Sequence, residues 1–355
     1  MKNGAKRHFI LNRENIMSDL LKPTRRKFIQ GSVAAAGVAG LAASPFSAAF
    51  GAAFPSRNMS VYVPTREGGG ADRNFRAFSG VWKKYLGVNF EGAYYPGASG
   101  RVGYEKYMGL AKDDCHDLLF GNMGPEVLNW VVKKPTFDLS ELLYFAQVDK
   151  DPGILFVSAK SKFQNIDDII AEGKKRTLNV GVSRLAHPAS LGALAVASHT
   201  GAKFNLIPLS GGKNTLAGVT TGEMDFGALP SGNIVQRQKT FKTVLVFDDK
   251  NPLPGSLHNA PTANGHLGMS LPPLIAGSRA FAIKKSAIDK NPDRFKILEG
   301  TLLKVFPDPE YKKAVVKTKA AWEYIGYGDA DACAKYVKNI MEIGEEYKSL
   351  LTGKG

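Results

Sequence analysis

Pro96-Gly97-Ala98-Ser99-Gly100-Arg101-Val102-Gly103 separates a strand-like run, Val88 to Tyr95, from a helical segment that begins at Tyr104. Small residues fill the junction, so no Cβ keeps a ligand away from the backbone. The first N–H groups of the helix have no partner within it, and that end carries partial positive charge. A carboxylate or phosphate fits such a place.

The same kind of junction occurs twice more. Pro64-Thr65-Arg66-Glu67-Gly68-Gly69-Gly70-Ala71-Asp72 follows the alternating strand Met59 to Val63 and opens a helix to Leu86, which Gly87 ends. Gly181-Val182-Ser183 leads through Pro188 to Ser190 and a helix ending at Thr200, capped by Gly201. Further strands are expected at Leu118–Phe120, Ile154–Val157, Leu178–Val182, Phe204–Leu209, Met224–Leu229, Val244–Phe247 and Ala280–Ile283. Asn251 to Pro273 reads as a long surface connection, and Pro292–Phe306 and Pro309–Leu350 as a lysine-rich helical tail. Alternating strands and helices make this an α/β protein. In open α/β sheets the ligand crevice lies beyond the carboxyl ends of the strands, where these turns fall.

One turn is not enough. A helix terminus contributes about 0.3–1 kcal/mol to a bound anion, whereas micromolar binding needs roughly 8 kcal/mol. Several hydrogen bonds to a charged group, each about 1.5–3 kcal/mol, reach that figure. The donors therefore have to converge from both sides of a cleft.

Other chemistry is poorly supported. Gly97 to Gly103 reads G-x-x-G-x-x-G and not the dinucleotide fingerprint. Ser210-Gly211-Gly212-Lys213-Asn214-Thr215 lacks the upstream glycine of a phosphate loop. Gly181-Val182-Ser183-Arg184-Leu185 has leucine where a nucleophile elbow needs a small residue, and nothing ties His187, His199 or His266 to Ser183 as a base. Cys115-His116 has no second pair at metal-ligand spacing. No catalytic residue, metal or cofactor is expected. Phe75, Phe78, Trp82 and Tyr85 are expected in the core, and Tyr95 beside the second turn is a pocket candidate.

Thr24-Arg25-Arg26-Lys27-Phe28-Ile29 precedes a mildly apolar Gly31–Ala43 run, Pro45 and a string of small residues, the pattern of a twin-arginine export signal with cleavage between Ala49 and Ala53. The run is too rich in Ala and Gly for a membrane span. Met17 is an alternative start. The first 53 residues hold eight basic and two acidic side chains, so the formal charge of +15 falls to +9 on their removal. A cationic surface favours anionic partners. The lysines are scattered without interleaved aromatics, which argues against nucleic acid. An oxidising compartment permits a Cys115–Cys333 disulfide, but two cysteines cannot carry the fold.

With these turns placed, the chain resembles the extracytoplasmic solute receptors of the tripartite tricarboxylate transporter family, the Bug-type receptors. Gly68-Gly69-x-x-Asp72 with Arg76 is similar to that family's first loop, Pro96 to Gly103 to its P-G-A-G-G-x-x-G second loop, Ile207 to Gly212 to its V-P-Y-x-G segment, and Thr221 to Asp225 to its G-G-x-V-D turn. Ser99 stands where glycine is usual and Leu209 where tyrosine is usual. The resemblance implies a two-lobed type II periplasmic-binding-protein fold, with residues 54–153 and 277–355 in lobe 1 and 154–276 in lobe 2. It implies a periplasmic receptor, monomeric and without catalysis, that closes on a small organic carboxylate and delivers it to membrane transporter subunits. The carboxylate is expected on Gly68, Gly69, Gly70 and Asp72 and on Ala98, Ser99 and Gly100. Lobe 2 is expected to add Ser183, His187, Ser190 and Gly211. A sensory receptor and an exported enzyme such as a hydrolase are the alternatives.

Overall fold

The computed structural model describes residues 54–352. The expected export signal, residues 1–53, lies outside the described residues.

The strands are β1 (Met59–Val63), β2 (Phe90–Tyr94), β3 (Asp117–Asn122), β4 (Leu142–Asp149), β5 (Asp151–Ser158), β6 (Leu178–Val182), β7 (Phe204–Pro208), β8 (Phe226–Pro230), β9 (Phe241–Val246), β10 (Ile275–Gly277), β11 (Arg279–Lys284) and β12 (Ile325–Gly328). They form two six-stranded sheets flanked by helices. The first runs β12-β4-β11-β3-β1-β2; the second runs β10-β5-β8-β6-β7, with β9 also on β5. β1 is parallel to both β2 and β3, and β6 to both β7 and β8, so each sheet has a set of carboxyl ends on one edge. The chain passes between sheets at Lys150 and returns at Ser278. The boundary expected after residue 153 falls inside β5, because Asp151 to Gly153 already pair with β10 and β8. The return expected at 277 shifts by one residue, because Gly277 still pairs with Asp151.

Six helices matter for the site: α1 (Gly70–Leu86), α2 (Arg101–Leu110), α3 (Met123–Val132), α4 (Ile166–Lys175), α5 (Pro188–Thr200) and α6 (Gly212–Thr221). α1 puts Phe75, Phe78 and Trp82 into the core of the first sheet, each burial worth about 1.5–3 kcal/mol. Tyr85 is instead 36% exposed and its hydroxyl donates to Asp308 at 2.8 Å. Gly87 closes α1 at φ +85°, its N–H on the Lys83 carbonyl. α5 is apolar on nearly every side because it lies between the second sheet and α3 of the first lobe.

That packing makes one core continuous across both lobes: Tyr104, Met123 and Val127 join Leu155, Val180, Ala189 and Phe226. At Gly124 a Cβ would lie 2.6 Å from the Ile275 carbonyl oxygen and 3.0 Å from Pro188 Cγ, so the lobes touch closely there. The expected helical tail from Pro309 is broken. It stops at Lys317, and β12 returns to the edge of the first sheet before a second helix at Ala330–Glu346. Cys115 and Cys333 are both buried and free, in separate cores. Among the described residues no helix is long and apolar enough to cross a membrane.

Candidate functional site: a polar cleft between the sheets

The first two glycine-rich turns are neighbours, because they leave adjacent parallel strands. Gly103 lies against Pro64 so closely that a Cβ would sit 2.6 Å from Pro64 Cα. Asp72 ties the turns together. Its carboxylate accepts from the Gly68 N–H at 2.7 Å, from Arg76 Nε at 2.7 Å and from the Tyr94 hydroxyl. Burial works to raise its pKa, but these three donors outweigh it and hold the group below the usual carboxylate range. Asp72 therefore shapes the first turn and has no acceptor capacity turned to a ligand. Arg76 is bound in turn by Glu67 at 2.5 Å.

The second turn holds four successive residues at positive φ, the longest such run among the described residues. Gly97, Ala98, Ser99 and Gly100 have φ of +134°, +45°, +56° and +102°. Left-handed Ala and Ser each cost about 1–2 kcal/mol, which the surroundings must hold in place. Gly100 is required by contact as well as conformation, since a Cβ would lie 2.9 Å from Glu126 Cγ. Tyr95 stacks on Tyr62, ring centroids 5.6 Å apart.

In the second lobe Ser183 and Gly211 meet, the Gly211 N–H donating to the Ser183 carbonyl at 3.1 Å. His187 caps α5, its Nδ1 accepting from the Ala189 N–H at 3.3 Å. Burial, with Arg184 beside it, pushes the imidazole pKa down to about 3, so it stays neutral. Ser190 is wholly buried and its hydroxyl donates to the Arg184 carbonyl at 2.8 Å. His187 and Ser190 build the turn, and their side chains are spent inside it.

A cavity of about 260 Å³ opens between the sheets, lined by Gly70, Arg73 and Asn74 of the first lobe, Pro230, Gly232 and Asn233 of the second, and Asp149, Asp151 and Arg279 at the crossovers. Of the site residues expected from sequence, Gly70 alone lines it. The Arg279 guanidinium lies under the start of α1, where a Cβ on Gly70 would be 3.0 Å from Nη2. It pairs with Asp149, whose carboxylate also accepts from Asn74 Nδ2 at 2.8 Å. Asp151 accepts from the Ser231 hydroxyl at 2.7 Å and the Gly232 N–H at 3.0 Å. Burial raises its pKa to about 6 against these bonds.

Two further charges lie near this region, outside the lining of the cavity. Glu126 of α3 is 1% exposed. Its Oε2 accepts from the Tyr104 hydroxyl at 2.6 Å and the Asn122 N–H at 2.7 Å. Arg184, in the β6–α5 turn, makes no side-chain hydrogen bond or ion pair among the described residues, with Glu126 its nearest influence of opposite charge. Sequence reading missed Glu126, Asp149, Asp151, Arg184 and Arg279. The available signal was a charge set within apolar strands, as in Val148-Asp149-Lys150-Asp151 and Gly277-Ser278-Arg279-Ala280, since such residues are seldom buried unless paired.

Chemically, the cavity offers the guanidinium groups of Arg73 and Arg279 and the buried acids Asp149 and Asp151. Among the described residues no group of three His, Cys, Asp or Glu could hold a metal ion.

No family model matches the chain, and no curated protein matches it. Solved structures do. A TctC solute-binding protein from Polaromonas is 20% identical with a TM-score of 0.68, over 84% of this chain and 99% of that one. An R. palustris protein solved with adipate is 18% identical, TM-score 0.67, over 84% and 98%. MatC from Rhodopseudomonas palustris with bound malate is 18% identical, TM-score 0.63, over 82% and 99%. What this chain shares with these solute-binding proteins, over nearly their whole length, is the two-lobed type II periplasmic-binding-protein fold.

Proposed function

We propose that this protein is a periplasmic solute receptor that captures a small organic carboxylate between its lobes and delivers it to a membrane transporter. What supports this reading is that the Gly68–Gly70, Ala98–Gly100 and Ser183–Gly211 turns follow the carboxyl ends of parallel strands in the two sheets, with a polar cavity between the sheets that Gly70 lines. Structures of the same fold hold malate and adipate. The lobes close about the crossovers at Lys150 and Ser278, and the ligand favours the closed state by contacts made only there. The reading is of a binder: the buried His187 is a cap, and among the described residues no base is hydrogen-bonded to Ser183 or Ser190. Export by the twin-arginine route belongs to the same reading.

The test is a calorimetric and thermal-shift panel of carboxylates, with malate and adipate among them. Ligand at a hundred times its Kd adds about 2.7 kcal/mol, or a Tm rise of roughly 4 °C at this size. Absence of any response across the panel overturns the reading.

A further inference from the structure

We propose that Glu126 is a ligand-binding residue of this cleft: when a carboxylate docks on the Ala98–Gly100 turn, Glu126 takes a proton from solvent onto Oε1 and donates it to the bound carboxylate. The inference rests on the carboxylate reading above and adds to it a protonation step.

The geometry points there from three sides. First, the two oxygens of Glu126 are not equivalent. Oε2 is filled by the Tyr104 hydroxyl and the Asn122 N–H, both donors, with Tyr144 placed 2.5 Å behind Tyr104. Oε1 has no hydrogen bond among the described residues, and a Cβ on Gly100 would lie 3.3 Å from it. Any proton on this group therefore goes to Oε1, on the side of the turn. Secondly, the turn holds four successive residues at positive φ. The Gly100 N–H is held by the Gly97 carbonyl at 2.9 Å, so an anion on the Ala98 and Ser99 amides meets a buried carboxylate, and two like charges at contact distance cannot both stay ionised. One proton shared between them turns repulsion into a short, charge-assisted hydrogen bond. Thirdly, Arg184 of the other lobe acts on Glu126 through its charge and has no ion pair among the described residues, so it is available to the ligand's charge once Glu126 is neutral.

The groups facing Glu126 leave it free to act. They are Tyr104 of α2, Tyr144 of β4, Arg184 with His187 beyond it in the β6–α5 turn, and Arg279 of β11 with its partners Asp149 and Asp151. Burial holds both tyrosines far above neutrality and His187 neutral, and Arg279 stays charged beside Asp149. Asp151, at about 6, completes most of its ionisation below pH 6.5. Burial, opposed by the bonds from Tyr104 and Asn122 and by Arg184 and Arg279, leaves Glu126 itself at about 7, so the proton is available at neutral pH.

The experiment is calorimetry of malate and adipate on the full chain and on Glu126→Gln, at pH 6.5 and 8.5, and at pH 7 in two buffers of different ionisation enthalpy. The expected result is affinity at least about tenfold weaker at the higher pH, with about half a proton taken up per ligand at pH 7. Glu126→Gln keeps a donor at Oε1, and is expected to bind with one affinity at both pH values and no proton uptake. If that variant does not fold, absence of proton uptake by the wild type still overturns the inference. Binding that is flat with pH and takes up no proton overturns the inference and spares the receptor reading. Affinity that rises with pH also overturns it, by placing a cationic ligand group on ionised Glu126. No binding by either compound at either pH overturns the inference; no response across the wider panel overturns the receptor reading too.

Discussion

Arg279 and Asp149 pair across the two crossovers that join the lobes. Asp149 is the last residue of β4 and Arg279 the first of β11, and the Arg279 backbone N–H also donates to the Asp149 carboxylate at 2.8 Å. Asp149 is buried at 3% exposure and Arg279 half-buried at 16%. Each lobe thus starts from one shared ionic contact, placed beneath the first turn of α1.

Removing one partner strands the other charge. Arg279→Met is expected to destabilise the fold by about 3–5 kcal/mol, because Asp149 and Asp151 lose their buried counter-charge. The double variant Asp149→Asn/Arg279→Met is expected to be less destabilised than Arg279→Met alone, since no uncompensated charge remains at that pair. Urea denaturation of the three proteins checks both statements, and equal losses in single and double variants would contradict the argument.

His187 predicts an acid-side pH dependence. Its folded pKa is about 3 against an ordinary value of 6.5. Below pH 6.5 the unfolded chain binds a proton that the folded chain refuses, so stability falls as pH drops from 6.5 towards 3. Glu126 has the opposite sign. Its folded pKa is about 7 against 4.5, so it favours the folded state at low pH, and that contribution is lost as pH rises from 4.5 to 7. His187→Asn retains a cap at α5 and is expected to flatten the loss between pH 6 and 4 by roughly 1 kcal/mol per pH unit. Denaturation midpoints at three pH values measure the difference from wild type.

The strand–turn–helix units were legible because they are punctuated. Gly87, Gly201 and Gly222 sit at the helix ends with φ between +75° and +85°, as capping requires. α3 and β4 were not, because α3 is buried on nearly every side between sheet and C-terminal helix, and β4 is buried along most of its length between β11 and β12. Neither shows a period that separates helix from strand. β12 exists only through its bulged pairing with β4. The glycine-rich turns were likewise readable, whereas Glu126 and Arg184 come near one another only when α3 and α5 pack across the lobes.

Export gives a prediction outside the described residues. If Arg25 and Arg26 form the twin-arginine signal, replacing both with lysine is expected to leave the protein unprocessed in the cytoplasm. Fractionation with N-terminal sequencing reads the result. Continued secretion of a chain that begins between Phe50 and Phe54 would assign export to another route.

Two glycines separate a turn that must bend from one position that need not. Gly100 has φ +102° and lies against Glu126, so Gly100→Ala adds backbone strain and a contact of 2.9 Å. The expected cost is about 1–3 kcal/mol, together with weaker carboxylate binding, because relief of the strain moves the amides of Ala98 and Ser99. Gly80 lies exposed in the middle of α1, with nothing within 4 Å of an added Cβ. Gly80→Ala is expected to stabilise the protein by about 0.5–1 kcal/mol, since alanine loses less backbone entropy in a helix, and to leave ligand affinity unchanged. If Gly100→Ala instead retains both stability and affinity, the bend at 97–100 is an ordinary connection and the anion site lies elsewhere in the cleft.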